Sequence, residues 1–358
     1  MGSGMMMRLS YRARGMAACL ILALASAGAA AQAPVTFEGK TISMLIDSSV
    51  GGGTDLTARL ISPFLTKYLP GHPTVIARNM PGAEGTVALN YFVQQVAPDG
   101  LTLTTGGGPS IDPIRYRAPQ SRFDPGKFEF IGGIGRGGSM LVVSAAAEKR
   151  FNDRAMTPVA IGIAGAAPRS GQLMAAWGIE FLGWNAKWIA GYRSTQALNQ
   201  ALQQGEIDMT ATSTLLSLKS GVESGQFKVV IQSGGLQNGK RVPRAEFPKV
   251  PILADQLEGK VTSEIARQSF ATWQAVLLTD KFYALPPETP EPIVAAYRGA
   301  YRKIIDDPEF TARGLKLSEV FEPMTAEDVN SLVKDIVDTP AQAVEYVNSM
   351  LRRQGLGG

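Results

Sequence analysis

Three glycine-rich stretches are the residues of this chain best suited to chemistry. They are Gly51-Gly52-Gly53-Thr54-Asp55, Gly106-Gly107-Gly108-Pro109-Ser110, and residues 162–170, which include Gly165, Ala166 and Arg169. Without a Cβ, glycine lets backbone N–H groups come close to a ligand. Where such a stretch opens a helix, the first N–H groups are unpaired and the helix dipole adds positive potential. The chemistry this favours is the binding of a carboxylate or a phosphate. Tight turns need glycine as well, so each loop taken singly is a weak signal. Arg193 stands one residue before Ser194, a good helix N-cap. Its guanidinium there is suited to grip a carboxylate with two parallel hydrogen bonds, or it is a solvated surface arginine. Arg169 has the same two readings.

Other chemistry is poorly supplied. His72 is the single histidine and Cys19 the single cysteine. A Ser-His-Asp triad or a zinc site would have to be built on His72 alone, and that residue sits in the turn-like spacer Pro70-Gly71-His72-Pro73. The chain has no Walker A motif and no Gly-x-Ser-x-Gly elbow, and Gly-Gly-Gly-Thr-Asp lacks the Gly-x-Gly-x-x-Gly spacing of a dinucleotide fingerprint. Asp55 reads as closing its own loop against backbone N–H groups rather than as an acid catalyst. Trp177, Trp184 and Trp188 read as packing residues. Trp273 reads as packing or as one wall of a cleft. Neither a cofactor nor a metal is expected, and the chain is not expected to be an enzyme.

The elements that must position these loops alternate. Strands are expected over 41–46, 74–79 and 101–105, with helices over 56–68 and 86–96 between and around them. This alternation predicts an α/β domain with a largely parallel sheet, and in such sheets ligands lie outside the carboxyl ends of the strands. Residues 128–143 read as a connection into a second α/β unit. That unit has strands over 158–163, 186–189, 207–210 and 229–232, and helices over 170–177 and 195–204. Ser194 and Gly205 supply the two caps of the latter helix. Helices near 292–305, 326–338 and 339–354 close the chain.

The first thirty-one residues read as a secretory leader. Arg8, Arg12 and Arg14 form a basic start, an apolar run spans 16–27, and Ala29 and Ala31 offer small side chains for cleavage after Ala31. Removing those three arginines takes the formal charge from +4 to +1. The basic balance therefore belongs largely to the leader and gives no reason to expect nucleic-acid binding, which wants a clustered basic face.

At the glycine loops the sequence resembles a known family. Gly-Gly-Gly-Thr-Asp-Leu-Thr-Ala-Arg-Leu over 51–60 is similar to the first ligand loop and helix of the substrate-binding proteins of tripartite tricarboxylate transporters, the Bug-type receptors. Residues 73–85, ending Asn-Met-Pro-Gly-Ala-Glu-Gly, resemble their next strand and turn. The similarity continues through Ala97-Pro98-Asp99-Gly100, Gly205-Glu206-Ile207-Asp208, residues 247–253 and Asp307-Pro308. The resemblance implies an α/β, two-lobed periplasmic binding protein fold of the type II-like kind, with two crossing strands as hinge and a ligand cleft between the lobes. Residues 32–135 and 236–358 would form the first lobe and 136–235 the second. The implied ligand is a small organic acid, held by Ser49, Gly51, Gly52, Gly53, Thr54, Asp55, Gly107, Pro109 and Ser110 from one lobe. The other lobe would supply Gly165, Ala166, Tyr192, Arg193 and Ser194.

The implied role is that of a monomeric periplasmic receptor that delivers its ligand to the membrane permease of such a transporter. A ligand sensor for a signalling partner and a periplasmic hydrolase are the alternatives. The glycine triplet at 106–108, Asp112-Pro113, Arg169 and Arg193 depart from the family pattern and bear on the ligand class more than on the fold. Expressed in a Gram-negative host, the secreted protein should begin at Gln32 or Ala33. N-terminal sequencing that finds Met1 retained or Cys19 lipidated overturns the reading of the leader.

Overall fold

The computed structural model describes residues 34–215, 217–237, 240–318 and 320–356. The leader, Cys19 and the cleavage after Ala31 lie outside the described residues. The chain lays down β1 (Thr41–Ile46), β2 (Thr74–Asn79), β3 (Thr102–Gly106) and β4 (Glu129–Gly135). Next come β5 (Met140–Ser144), β6 (Val159–Ala164), β7 (Ala186–Tyr192), β8 (Met209–Thr212) and β9 (Phe227–Gln232). A small ribbon, β10 (Gly235–Gln237) and β11 (Lys240–Val242), precedes β12 (Lys281–Leu285) and β13 (Glu322–Met324). The longer helices are α1 (Gly53–Tyr68), α2 (Thr86–Gln95), α3 (Leu173–Leu182), α4 (Thr195–Gln204), α5 (Glu264–Leu278), α6 (Glu291–Ile305), α7 (Ala326–Val337) and α8 (Ala341–Arg353). Among the described residues no helix is long and apolar enough to cross a membrane.

These strands make two sheets, ordered β13-β4-β12-β3-β1-β2 and β7-β6-β8-β5-β9. The first is mixed rather than largely parallel. β1 runs parallel to β2 and β3, whereas β12 runs antiparallel to both β3 and β4. The cause is where β12 begins. Gly108 donates to the Thr279 carbonyl (2.6 Å), so the chain re-enters the sheet beside the end of β3 and has to run back along it. In the second sheet, β6 pairs in parallel with β7 and β8, and β5 runs antiparallel to β8 and β9.

Strand β5 shows why both faces of the second sheet are covered. Its side chains alternate, and Met-Leu-Val-Val is buried on both sides. Met140 and Val142 join Leu198, Ala201 and Leu202 of α4. Leu141 and Val143 join Trp177 of α3, Trp273 of α5, and Val347, Met350 and Leu351 of α8. Trp177 is the hub of that face, with ring centroids 5.0 Å from Phe270 and 6.2 Å from Tyr346. Segment 236–358 is therefore not confined to the first lobe, because α5 and α8 help to fill the core of the second sheet. Helix α5 also gives Ala275 and Val276 to the core of the first sheet, beside Leu45, Phe92 and Phe282.

The chain passes from the first sheet to the second between Gly135 and Met140, and leaves the second after Gln232. The two crossing segments are bonded to each other: Ser139 donates to Ser233 Oγ (2.9 Å), and the Ser233 N–H donates to the Ser139 carbonyl (2.9 Å). Gly138 has a φ of +76°, and a Cβ there would lie 2.2 Å from Ser233 Oγ, so no other residue fits. Arg244 holds this crossing in place. Its side chain is fully buried, and it donates to the carbonyls of Arg136 (3.0 Å), Gly138 (3.3 Å) and Ser213 (3.0 Å), and to Glu246 (2.9 Å). Arg244→Met would strand buried carbonyls and should lower stability by about 3–5 kcal/mol. A urea midpoint that does not fall, at an unchanged slope, would refute this role.

Candidate functional site

Where β3 ends and β4 crosses to β5, a cavity of about 160 Å³ opens between the two sheets. The first sheet and the segment leading into β12 give it Pro109, Asp280 and Lys281. The crossing gives it Arg136, Gly138 and Ser139. Ser170 and Ser213 come from the loops after β6 and β8, and Val276 and Leu277 from the end of α5. This is the carboxyl end of the parallel strands, the place that α/β topology assigns to a ligand.

Its electrostatics centre on three side chains. Arg136 grips Asp280 with two hydrogen bonds, Nε to Oδ2 (2.5 Å) and Nη2 to Oδ1 (2.9 Å). Lys281 Nζ donates to the same carboxylate and to the Asp280 carbonyl, both at 2.7 Å. Burial alone would raise the Asp280 pKa, but the charges of Arg136 and Lys281 outweigh it and hold the carboxyl well below its ordinary range. Burial pushes the Lys281 ammonium downward, and the neighbouring Arg136 charge adds to the push while Asp280 opposes it. Behind them Asp47 is pushed up to about 6 by burial, in spite of the Ser110 hydroxyl, the Lys281 charge and the Gly107 amide.

A larger cavity, about 630 Å³, shares Arg136, Gly138, Leu277 and Asp280 with the first and extends along α5, β13 and α7. Glu322, Asp328 and Asp335 line it as well, against Arg241. Its acidic excess disfavours an anion, whereas the smaller cavity has two cations to one carboxylate.

Several residues singled out from the sequence meet at this place. Pro109 lines the cavity. A Cβ on Gly53 would lie 3.2 Å from Arg136 Nη1. One on Gly107 would lie 3.0 Å from the Asp280 carbonyl and 3.7 Å from Lys281 Nζ. Here the missing side chains make room for the cations. Ser110 is buried beside Asp47, with its hydroxyl donating to the Gly107 carbonyl (2.7 Å). Asp55 accepts from Gly51 N–H (2.9 Å), Arg59 and Asn79, so it closes the loop that carries Ser49 and Gly52 and leads into Thr54, the residue next to it in α1.

The second-lobe set lies elsewhere. Gly165, Ala166, Arg193 and Ser194 are exposed and Tyr192 half-buried, and none of them lines the cavity. Gly165 N–H donates to the Tyr192 carbonyl (2.9 Å), and the Ser194 hydroxyl accepts from Ala197 N–H (3.2 Å). The strand order explains this, because β7 is an edge strand while the crossing enters beside β8 and β9. Arg193, expected as the charged anchor, is thus away from the cavity. Arg136 and Lys281 are the cations that line it, and the sequence reading passed them over. Trp273 is core, and its indole N–H donates to the Ser170 carbonyl (2.8 Å), fixing the cavity wall from behind.

At one end of the interlobe gap Glu84 forms ion pairs with Arg115 on its own side and with Arg169 across the gap. Ala83 (φ +44°), Glu84 (φ +54°) and Ser170 (φ +47°) all hold left-handed backbone conformations. Such strain, of order 1–3 kcal/mol each, persists only where the surroundings over-determine it.

Asp47 has a folded pKa of about 6, above its ordinary 3.8, so the folded state binds its proton more tightly. Its contribution is full below 3.8 and is lost as pH rises through about 6, a span of roughly 3 kcal/mol. Asp47→Asn should therefore gain stability relative to the parent between pH 4.5 and 7.5. Parallel urea profiles at the two pH values would show that Asp47 is not so perturbed.

No family model matches the chain. A UPF0065 protein of Bordetella bronchiseptica is 38% identical over 101 residues, which are 27% of this chain and 29% of that protein. Another UPF0065 protein, from Cupriavidus necator, is 35% identical over 126 residues, 34% of this chain and 36% of its own. The chain thus matches about a third of the length of these relatives. Among solved structures, a TctC solute-binding protein from Polaromonas superposes with a TM-score of 0.64 at 17% identity, over 89% of this chain and 100% of that one. The periplasmic binding protein BugD gives 0.57 at 20% identity, over 89% and 99%. A Rhodopseudomonas palustris protein determined with adipate gives 0.58 at 19%, over 89% and 98%. The likeness first seen in the loops thus extends to the architecture, and the chain has the two-lobed α/β fold of the TctC and BugD solute-binding proteins.

Proposed function

We propose that this protein is a periplasmic receptor that captures a small organic carboxylate between its lobes and delivers it to the permease of a tripartite tricarboxylate-type transporter. The observation that carries the reading is the cavity at the strand ends, where Arg136 and Lys281 converge on a space bounded by Pro109 and three serine hydroxyls. The adipate-bound structure of the same fold supports the ligand class. The lobes close by rotation about the two crossing segments, where Gly137, Gly138 and Gly234 absorb the change. Ion pairing of Glu84 with Arg169 across the gap then favours the closed form.

Calorimetry with a panel of mono-, di- and tricarboxylates tests the reading. The parent should bind at least one of them. Gly107→Val places methyl groups where the Lys281 ammonium and the ligand meet and should weaken binding at least tenfold while the fold survives. Arg136→Gln should weaken it by on the order of 2–5 kcal/mol. Parent-like affinity in both variants would remove the cavity from the function.

A further inference from the structure

We propose that Glu84 is a charge-operated latch between the lobes: anchored by Arg115 on its own side, it takes Arg169 from the other, and its loss turns attraction across the gap into repulsion. This deepens the hinge-closure part of the receptor reading, on which it rests, and does not depend on which ligand is bound. Glu84 lies between β2 and α2, and Arg115 just after β3, both beside the first sheet. Arg169 lies between β6 and α3, beside the second. One carboxylate pairs with both guanidinium groups. Arg115 is the more buried of the two arginines, so the carboxylate is fixed from its own side and Arg169 is the partner that can leave.

The backbone at each end is fastened to its own lobe. Gly85 follows Glu84 with a φ of +96°, and a Cβ on it would lie 2.7 Å from Ser110 Cβ and 2.9 Å from Asp47 Oδ2. The Glu84 turn is thus pressed on the loop after β3. Opposite, Arg169 N–H donates to Gln172 Oε1 (3.3 Å), and the Ser170 carbonyl accepts from the Trp273 indole (2.8 Å). Ser170 lines the cavity, and a Cβ on Gly171 would collide with Ser139 of the crossing. This packing supplies the support that the left-handed backbones of Ala83, Glu84 and Ser170 require. The ion pair therefore joins two turns that move with their lobes, and an opening rotation breaks it.

Charge then fixes the sign of each substitution. Without the Glu84 carboxylate, two guanidinium groups face each other across the gap. Without Arg169, the Glu84–Arg115 pair stays within one lobe and no force of this kind crosses. All three side chains are partly open to water, so salt screens whichever force is present.

The test measures the gap with no ligand added. In a Cys19→Ser background, which leaves no native cysteine, Gln95→Cys on α2 and Gln200→Cys on α4 carry spin labels at exposed positions, one on each lobe. Double electron–electron resonance then gives the ratio of long to short interlobe distances. In the parent this ratio should rise with added sodium chloride. Glu84→Gln should raise it at least threefold at low salt and reverse the salt response. Arg169→Gln should raise it less and abolish the response. Adding Arg169→Gln to Glu84→Gln should lower the ratio again, because it removes the repulsion.

A parent with the long distance alone at low salt overturns the proposal. An unchanged ratio in Glu84→Gln, or a further rise in the double variant, does the same. If Glu84→Gln does not fold, Arg169→Gln decides: a ratio and salt response equal to the parent's would remove the latch. Because no ligand enters the measurement, its failure leaves the carboxylate-receptor reading standing, and failure of the carboxylate titrations leaves the latch standing.

Discussion

A guanidinium taken wholly out of water needs acceptors within the protein, and at the crossing between the sheets Arg244 finds backbone carbonyls for its Nη1 and a carboxylate for its Nη2. The carbonyls of Arg136, Gly138 and Ser213 converge on it. Gln232, itself buried, accepts from the Arg244 backbone N–H (2.7 Å) and donates to the carbonyls of Phe247 and Val250. The path of the crossing is thus set by hydrogen bonding around one buried charge. Because the Arg136 carbonyl is held from behind, its side chain leaves the backbone toward Asp280. The position of Lys281 follows from the same carboxylate. A cavity with two cations in register is therefore the outward face of a polar network whose inner member is Arg244.

The glycine loops take on a different meaning in this setting. From sequence they look like donors of backbone N–H groups to a ligand. In the structure much of their need for glycine is explained by close approach of protein to protein. A Cβ on Gly108 would lie 1.8 Å from the Val276 carbonyl, and one on Gly106 would lie 2.5 Å from Asp47 Oδ2. The loop after β3 is pressed against the end of α5 and the start of β12, and this contact brings Lys281 beside the loop. Absent side chains and present cations are two parts of one arrangement.

Most of the local structure was legible. Strands over 41–46 and 74–79 and the helix over 195–204 fall where periodicity and caps put them, and Ser194 caps that helix through Ala197 N–H (3.2 Å). Helix α1 starts three residues before the expected 56, because Gly53 and Thr54 already belong to its first turn. Helix α5 and strand β12 were not read at all. The helix serves two cores, with Ala266, Trp273 and Leu277 toward one and Ala275 and Val276 toward the other, so no single apolar stripe marks it. Its N-cap Ser263, followed by Glu264, was the available signal. The cation pair was beyond local reading, because Arg136 and Asp280 are 144 residues apart and only the return of β12 beside β3 and β4 brings them together. The clue was an arginine inside the glycine run 135–138, which a flexible crossing has no reason to contain.

The sharing of α5 and α8 between the two halves bears on the order in which this molecule can assemble. The apolar face of the second sheet is closed by Val347, Met350, Leu351 and Leu356, among the last residues described. A chain that emerges N-terminus first therefore holds both sheets' strands before it holds the helix that seals one of them. The second half cannot reach its final packing as an autonomous unit while the C-terminus is still unavailable. Its contacts form late and between segments distant in sequence, a topology that folds slowly. Until that last helix is available, the second sheet keeps one apolar face uncovered.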